Sequence, residues 1–189
     1  MKGRESGMPE KDYWNSFYDA ECVVLKLIPR IVHGSIIEIG SGYGTFTNPV
    51  IKNWKNKFIG FEIEGGLASV LQNEVALVRE NVEIIKCDIM EENLDIFCDE
   101  IGHVMLYNIL HIENPKSLLR KIKNLLLDNG TISIIHWKYD SATPRGPSME
   151  IRPKPQDISE WLNQCGYKNI EIIDLKDCCK YHYGITASI

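Results

Sequence analysis

Short apolar runs alternate with amphipathic stretches along most of the chain. Ser35–Ile39 (SIIEI), Lys57–Glu62 (KFIGFE), Val82–Cys87 (VEIIKC), His103–Asn108 (HVMLYN) and Thr131–His136 (TISIIH) are near-continuous apolar segments. Strands buried on both faces read this way, so the five runs predict a parallel sheet covered by helices on each side. Helices are predicted between them, around Thr45–Lys52, Gly66–Val78 and Lys116–Leu127, and one near Tyr13–Ile28 precedes the first strand. The stretch Lys116–Leu127 repeats Leu118, Leu119, Ile122, Leu125 and Leu126 at the spacing of one buried helical face, and Asp128-Asn129-Gly130 marks its end.

The pattern changes after the fifth run. Ser141–Pro155 carries Pro144, Pro147, Pro153 and Pro155, which predicts a long stiff loop. A helix near Gln156–Cys165, a strand near Lys168–Asp174 and a last strand near His182–Ile189 follow. Together these elements predict an α/β fold with a parallel core and a terminal hairpin-like pair.

Composition narrows the function classes. At 189 residues the chain suits one domain with a sizeable core. Its formal net charge of −5 disfavours a nucleic-acid backbone as the main partner, because such partners are held by a basic excess. No apolar run reaches the ~20 residues needed to span a bilayer, and the polar Met1–Lys11 stretch lacks the apolar centre of a secretory signal. Six cysteines (Cys22, Cys87, Cys98, Cys165, Cys178 and Cys179) are scattered without a disulfide framework, so a reduced, cytoplasmic setting is expected. The adjacent Cys178 and Cys179 near His182 form no C-x-x-C pair, and no metal is expected. Oligomeric state is not legible.

The sharpest local feature is Glu38-Ile39-Gly40-Ser41-Gly42-Tyr43-Gly44, between a strand and a helix. Its glycines let the backbone take positive φ and approach a ligand closely. A dinucleotide fingerprint spaces its glycines G-x-G-x-x-G, and here the third position is Thr45. An acid two residues before the first glycine would repel a pyrophosphate. It would favour the ammonium and sulfonium of S-adenosylmethionine, which has no phosphate. This E-x-G-x-G-x-G pattern resembles motif I of class I (Rossmann-like) S-adenosylmethionine-dependent methyltransferases, and within them the small type-11 group that includes ubiquinone/menaquinone biosynthesis enzymes. The resemblance implies a seven-stranded, mostly parallel sheet of order 3-2-1-4-5-7-6 with the last strand antiparallel. It divides residues 1–189 into an N-terminal helical cap (1–34), a cofactor-binding core (35–137) and a substrate-side loop, helix and strand pair (138–189).

Further motifs extend the resemblance. Glu62, some 20 residues past the loop, stands where Rossmann-like sites bind ribose hydroxyls, with Ile63 beside it; Glu64 is the competing acid. Asp88, followed by Ile89 and Met90, matches the family's adenine contact, and an N-cap role is compatible with that. Asn108-Ile109-Leu110-His111 matches the post-strand motif in which an asparagine and a Leu-His pair border the sulfonium and the acceptor. Gly40, Ser41, Gly42, Gly44, Asn108 and Leu110 are thereby expected at the cofactor. His111 is either a base or orienting group or a histidine satisfied at a helix start. Tyr13 and Trp14 are either a lid over the cofactor or core anchors.

Methyl transfer from a sulfonium depends chiefly on positioning and water exclusion, so a base is needed only for acceptors such as hydroxyls. His111 and His136 are the candidate bases. Trp137, Arg145 and Arg152 lie in or beside the proline-rich loop and either grip an anionic acceptor or belong to a rigid connector. A similar T-P-R-G-P…I-R-P segment occurs in small methyltransferases of this type. An N-P-P-Y-type tetrad, associated with methylation of nucleobases and protein amides, is absent after the fourth strand. A small-molecule acceptor is therefore expected, with S-adenosylhomocysteine as product. Methylation of protein or RNA, and binding of the cofactor without turnover, are the alternatives; a nicotinamide oxidoreductase is disfavoured by Thr45.

Overall fold

The computed structural model describes residues 7–92 and 100–189; Cys98 lies outside them. In chain order the elements are α1 (Lys11–Asn15), α2 (Ala20–Leu27), β1 (Ser35–Ile39), α3 (Thr47–Asn53), β2 (Phe58–Glu62), α4 (Gly65–Ala76), β3 (Val82–Lys86), β4 (Ile101–Tyr107), α5 (Pro115–Leu125), β5 (Leu126–Trp137), α6 (Pro155–Gln164), β6 (Lys168–Ile173) and β7 (His182–Ser188). The strands form one seven-stranded sheet in the order β3-β2-β1-β4-β5-β7-β6. Pairing is parallel from β3 through β5, and β7 runs antiparallel to both β5 and β6. The expected order and the reversed last strand are both present.

Alternation along the strands divides the core into two layers. Ile37, Ile39, Ile59, Phe61, Val104 and Leu106 pack with Leu118, Leu119 and Ile122 of α5 and Ile158 and Leu162 of α6. Ile36, Phe58, Met105 and Tyr107 face the other way, onto Val23, Val24 and Leu27 of α2, Val50 and Ile51 of α3, and Leu71 and Val75 of α4. Helix α5 shows how sequence sets such an element. Asn114 caps its start by accepting from the Ser117 N–H at 3.2 Å, Pro115 takes the first turn, and the leucine stripe turns inward. Leu118 and Leu119 are fully buried, each contributing on the order of 2 kcal/mol.

Three expectations need correction. The predicted helix near Tyr13–Ile28 is broken in two, because the Asp19 carboxylate accepts from the Cys22 N–H at 3.0 Å and starts a new helix there. The Asp128-Asn129-Gly130 turn lies inside β5. Leu126 pairs with Ile101 and Thr131 with His103, so five steps along β5 answer two along β4, and the extra residues form a bulge. The cysteines are not all reduced: Cys22 and Cys178 form a disulfide across a sequence separation of 156, while Cys87, Cys165 and Cys179 are free and buried. The bond ties α2 to the segment before β7, beside a backbone bond from the Asp19 N–H to the Cys178 carbonyl at 2.7 Å. Among the described residues no helix is long and apolar enough to cross a membrane, and no cluster suited to a metal ion is found.

Closing so long a loop restricts the unfolded chain. Cys22→Ser is expected to lower the unfolding free energy of oxidised protein by about 2–4 kcal/mol in urea titrations, and thiol reductant should abolish the difference. Coincident curves before reduction would show that the two sulfurs are not bonded in solution.

Candidate active site

The glycine loop closes on the tip of β2 through its own amides. The N–H groups of Gly40 and Ser41 donate to the Phe61 carbonyl at 2.7 and 3.2 Å, and that of Gly42 donates to Glu62 Oε2 at 2.7 Å. The Gly44 N–H donates to the Ser41 carbonyl at 2.8 Å, and the other Glu62 oxygen accepts from the Glu64 N–H at 2.9 Å. Gly40 and Gly42 sit at φ 78° and 51°, where L side chains are strained, and a Cβ on Gly40 would meet Ile109 Cδ1 at 2.6 Å. A phosphate-binding nest needs such amides unengaged and pointing at the anion. Here four of them have partners, and one partner is a carboxylate. A phosphate charge about 4 Å from that carboxylate would be repelled by roughly 4 kcal/mol at an effective dielectric near 20.

The loop forms one wall of a cavity of about 350 Å³ at the carboxyl ends of β1, β2, β3 and β4. Of the residues singled out from sequence, Gly40, Ser41, Gly42, Glu62, Ile63, Asp88 and Ile89 line one part of it. Trp14, Asn108, His111, Trp137 and Arg145 line the rest. Glu62 borders the cavity and Glu64 does not, which separates the two acids. Asp88 Oδ1 accepts from the Met90 N–H at 3.0 Å within a turn, no helix starting there among the described residues, and Asp88 lines the cavity. The acids Glu62 and Asp88 lie at one end, and Arg145 is the one Lys or Arg side chain among the described lining residues.

Six expected site residues lie elsewhere. Tyr13 is half exposed and packs edge-on against Phe17, outside the cavity. Leu110 points into the α5-side core, and Ile109 and Ile112 line the cavity instead. Gly44 stands off the cavity, with Leu71 of α4 against the space a Cβ would need. Glu38 does not enter the loop mouth. It is buried behind the loop, where its Oε2 accepts from the Thr47 hydroxyl, and burial pushes its carboxyl up to about 8. His136 lies behind the wall with its ring 5.5 Å from that of His111; burial lowers it to about 3, so it stays neutral and is no base tuned to neutral pH. Arg152 is not available to an anion. Its guanidinium donates to the carbonyls of Lys138, Asp140, Arg145 and Pro147 and to the Thr143 hydroxyl, knotting the proline-rich loop together.

Other contributors had no signal in the sequence pattern. Gly7 and Met8 cover the cavity from the N-terminal segment, which is held by the Tyr43 hydroxyl donating to the Pro9 carbonyl at 2.9 Å and by Thr45 Oγ1 donating to Asn15 Oδ1 at 2.7 Å. Tyr18 and His182 stand behind Asn108 and Trp137, the Trp137 and His182 rings being 4.1 Å apart. His182 reaches this place because it pairs with Trp137 in the β5–β7 register.

A Rossmann-like sheet of this order, with amides turned onto a carboxylate at the glycine loop, defines a class I S-adenosylmethionine-dependent methyltransferase. The chain belongs to the ribosomal RNA adenine dimethylase family, whose model matches residues 24–125, just over half its length. The match bears out the methyltransferase class that the motifs suggested and does not extend to their narrower type-11 group. Over 62 residues the chain is 40% identical to the ribosomal RNA small subunit methyltransferase A of Levilactobacillus brevis; that stretch is 33% of this chain and 20% of the relative. A S-adenosylmethionine-dependent methyltransferase from Aquifex aeolicus shares the fold with a TM-score of 0.75 at 18% identity, over 95% of this chain and 94% of the other. A type 11 methyltransferase structure from Sulfolobus solfataricus does so with a TM-score of 0.59 at 20% identity, over 82% of each chain.

The buried Glu38 gives a pH prediction. Its folded pKa stands above its ordinary value, so its stabilising contribution is full below about pH 4.5 and is lost as pH rises through about 8. Between these limits the ligand-free wild type should lose stability relative to Glu38→Gln, which removes this titration. Denaturation midpoints of the two proteins that run parallel across this range would contradict it.

Proposed function

We propose that the protein transfers the methyl group of S-adenosylmethionine to a small-molecule acceptor held at the His111–Trp137–Arg145 end of the cavity. The single observation that carries this is the post-β4 segment. In the N-P-P-Y-type tetrads of nucleobase methylation a proline and an aromatic ring follow the asparagine. Here Leu110 is turned into the core and His111 faces the cavity. The net charge of −5 supports the same reading. Glu62 is assigned to the adenosine ribose, Asp88 and Ile89 to the adenine, and the glycine loop to the methionyl part. When bound, the cofactor supplies an electrophilic methyl on a sulfonium. The chain's own residues then orient and desolvate: Trp14 and Trp137 exclude water, Arg145 attracts a negative group on the acceptor, and His111 accepts a proton where the acceptor is a hydroxyl.

The family match favours one rival, methylation of adenine in RNA, and the same experiment separates them. The proposed setting is the cytoplasm, where the Cys22–Cys178 bond has to resist thiol reductants.

Calorimetry should give binding of S-adenosylmethionine and S-adenosylhomocysteine with dissociation constants on the order of micromolar, and no binding of NAD. Glu62→Ala should weaken the first two by tenfold or more, as loss of a charged hydrogen-bonding group does; an unchanged affinity would remove the ribose assignment. Release of S-adenosylhomocysteine should then appear with a phenol, thiol or carboxylate from an acceptor panel and not with ribosomal RNA transcripts. Turnover on the transcripts alone would overturn the small-molecule reading.

A further inference from the structure

The proline-rich loop borders the cavity as a braced turn. Pro144 and Pro147 fix their own φ on either side of Arg145 and Gly146. The buried Arg152 bridges the same stretch. Its Nη1 donates to the Thr143 hydroxyl at 2.6 Å, and its Nε and Nη2 both donate to the Pro147 carbonyl, at 3.0 and 2.7 Å. Gly146, at φ 127°, leaves room for this guanidinium: a Cβ there would meet Arg152 Nη2 at 2.6 Å and Trp137 Cγ at 3.0 Å. Arg145 thus stands in the middle of a turn whose two ends are held by one side chain.

The turn sets Arg145 at the cavity. Its guanidinium donates to the carbonyl of Gly7, another lining residue, and it forms no ion pair among the described residues. A guanidinium has five N–H donors, so the bond to Gly7 leaves most of them for a ligand. Trp137 and Pro147 line the cavity beside it, and the ring of Trp14, a lining residue as well, stands 6.4 Å from that of Trp137. A cation without a counter-ion next to aromatic walls suits a flat apolar molecule with one negative group. That group carries a single charge, because no second Lys or Arg is found among the described lining residues while Glu62 and Asp88 are. A dianion would bring in a charge without a partner.

We propose that Arg145 is the specificity-determining residue for the methyl acceptor and recognises one carboxylate carried on an aromatic ring. Arg152 and Gly146 are the positioning residues that hold it there. This rests on the small-molecule reading above and narrows its acceptor to one class. The guanidinium fork matches the planar carboxylate, which a lysine would meet only as a point charge.

The test is calorimetry on protein saturated with S-adenosylhomocysteine. The probes are meta- and para-hydroxybenzoate, their amides as neutral twins, and para-hydroxyphenyl phosphate as the dianion. The better-bound hydroxybenzoate should exceed its amide about tenfold, the range of a hydrogen bond to a charged group. Arg145→Met should make the two equal and leave S-adenosylhomocysteine affinity unchanged; Arg145→Lys should recover only part of the preference. Arg152→Lys should lower the preference for the carboxylate about threefold or more without weakening the amide. Gly146→Ala should do the same and serves if that variant fails to fold. Equal binding of carboxylate and amide to the wild type, binding of neither, tighter binding of the phosphate, or parallel losses for both twins in Arg145→Met would each overturn the inference. So would a loss of S-adenosylhomocysteine affinity in Arg145→Met, which would give the guanidinium to the cofactor's own carboxylate. The small-molecule reading survives all of these if any acceptor of the wider panel turns over; turnover on ribosomal RNA transcripts alone would overturn both.

Discussion

The Gly42 amide and the Glu62 carboxylate, 2.7 Å apart, join the tips of β1 and β2. Much else at the site depends on this bond. It holds a negative charge at the loop mouth, where related folds hold a phosphate, and it takes up an amide that would otherwise bind an anion. Glycines allow the positive-φ turns by which the loop reaches Glu62, and Ile109 occupies the space a Cβ on Gly40 would need. The parallel register that sets Glu38 opposite Gly60 and Ile39 opposite Phe61 brings the two tips level. A sheet built for general stability thereby ends in a mouth with a defined electrostatic sign.

What was legible in the sequence is what short-range pattern controls. Continuous apolar runs marked β1, β2, β3 and β4, and the leucine stripe marked α5, because burial on two faces or on one leaves those periods directly in the chain. Glu62 and Asp88 were found by their place after strands. Glu38 was misplaced for a physical reason: strand alternation turns it to the face of Ile36, behind the loop and against Thr47. Arg152 and His136 were misjudged because the carbonyls that surround the first and the rings that enclose the second come from the folded loop and the sheet, and neither leaves a periodic trace. The Cys22–Cys178 pair and the Tyr18–His182 contact, 156 and 164 residues apart, depend on where β7 returns beside β5.

The two halves of the cavity differ in how far they follow the family. The matched stretch, residues 24–125, contains the glycine loop, Glu62, Asp88 and the Asn108 segment. The remainder of the wall comes from the N-terminal segment, the end of β5 and the proline-rich loop, which Arg152 ties into a rigid unit. The proposed acceptor end draws on both, with His111 from the matched stretch and Trp14, Trp137 and Arg145 from the rest of the wall.

A crystal structure with S-adenosylhomocysteine tests the central claim most directly. The account predicts the ribose hydroxyls on the Glu62 carboxylate with the Gly42 bond retained. Adenosine bound elsewhere, or a Glu62 side chain turned out of the cavity with the loop amides released, would contradict it.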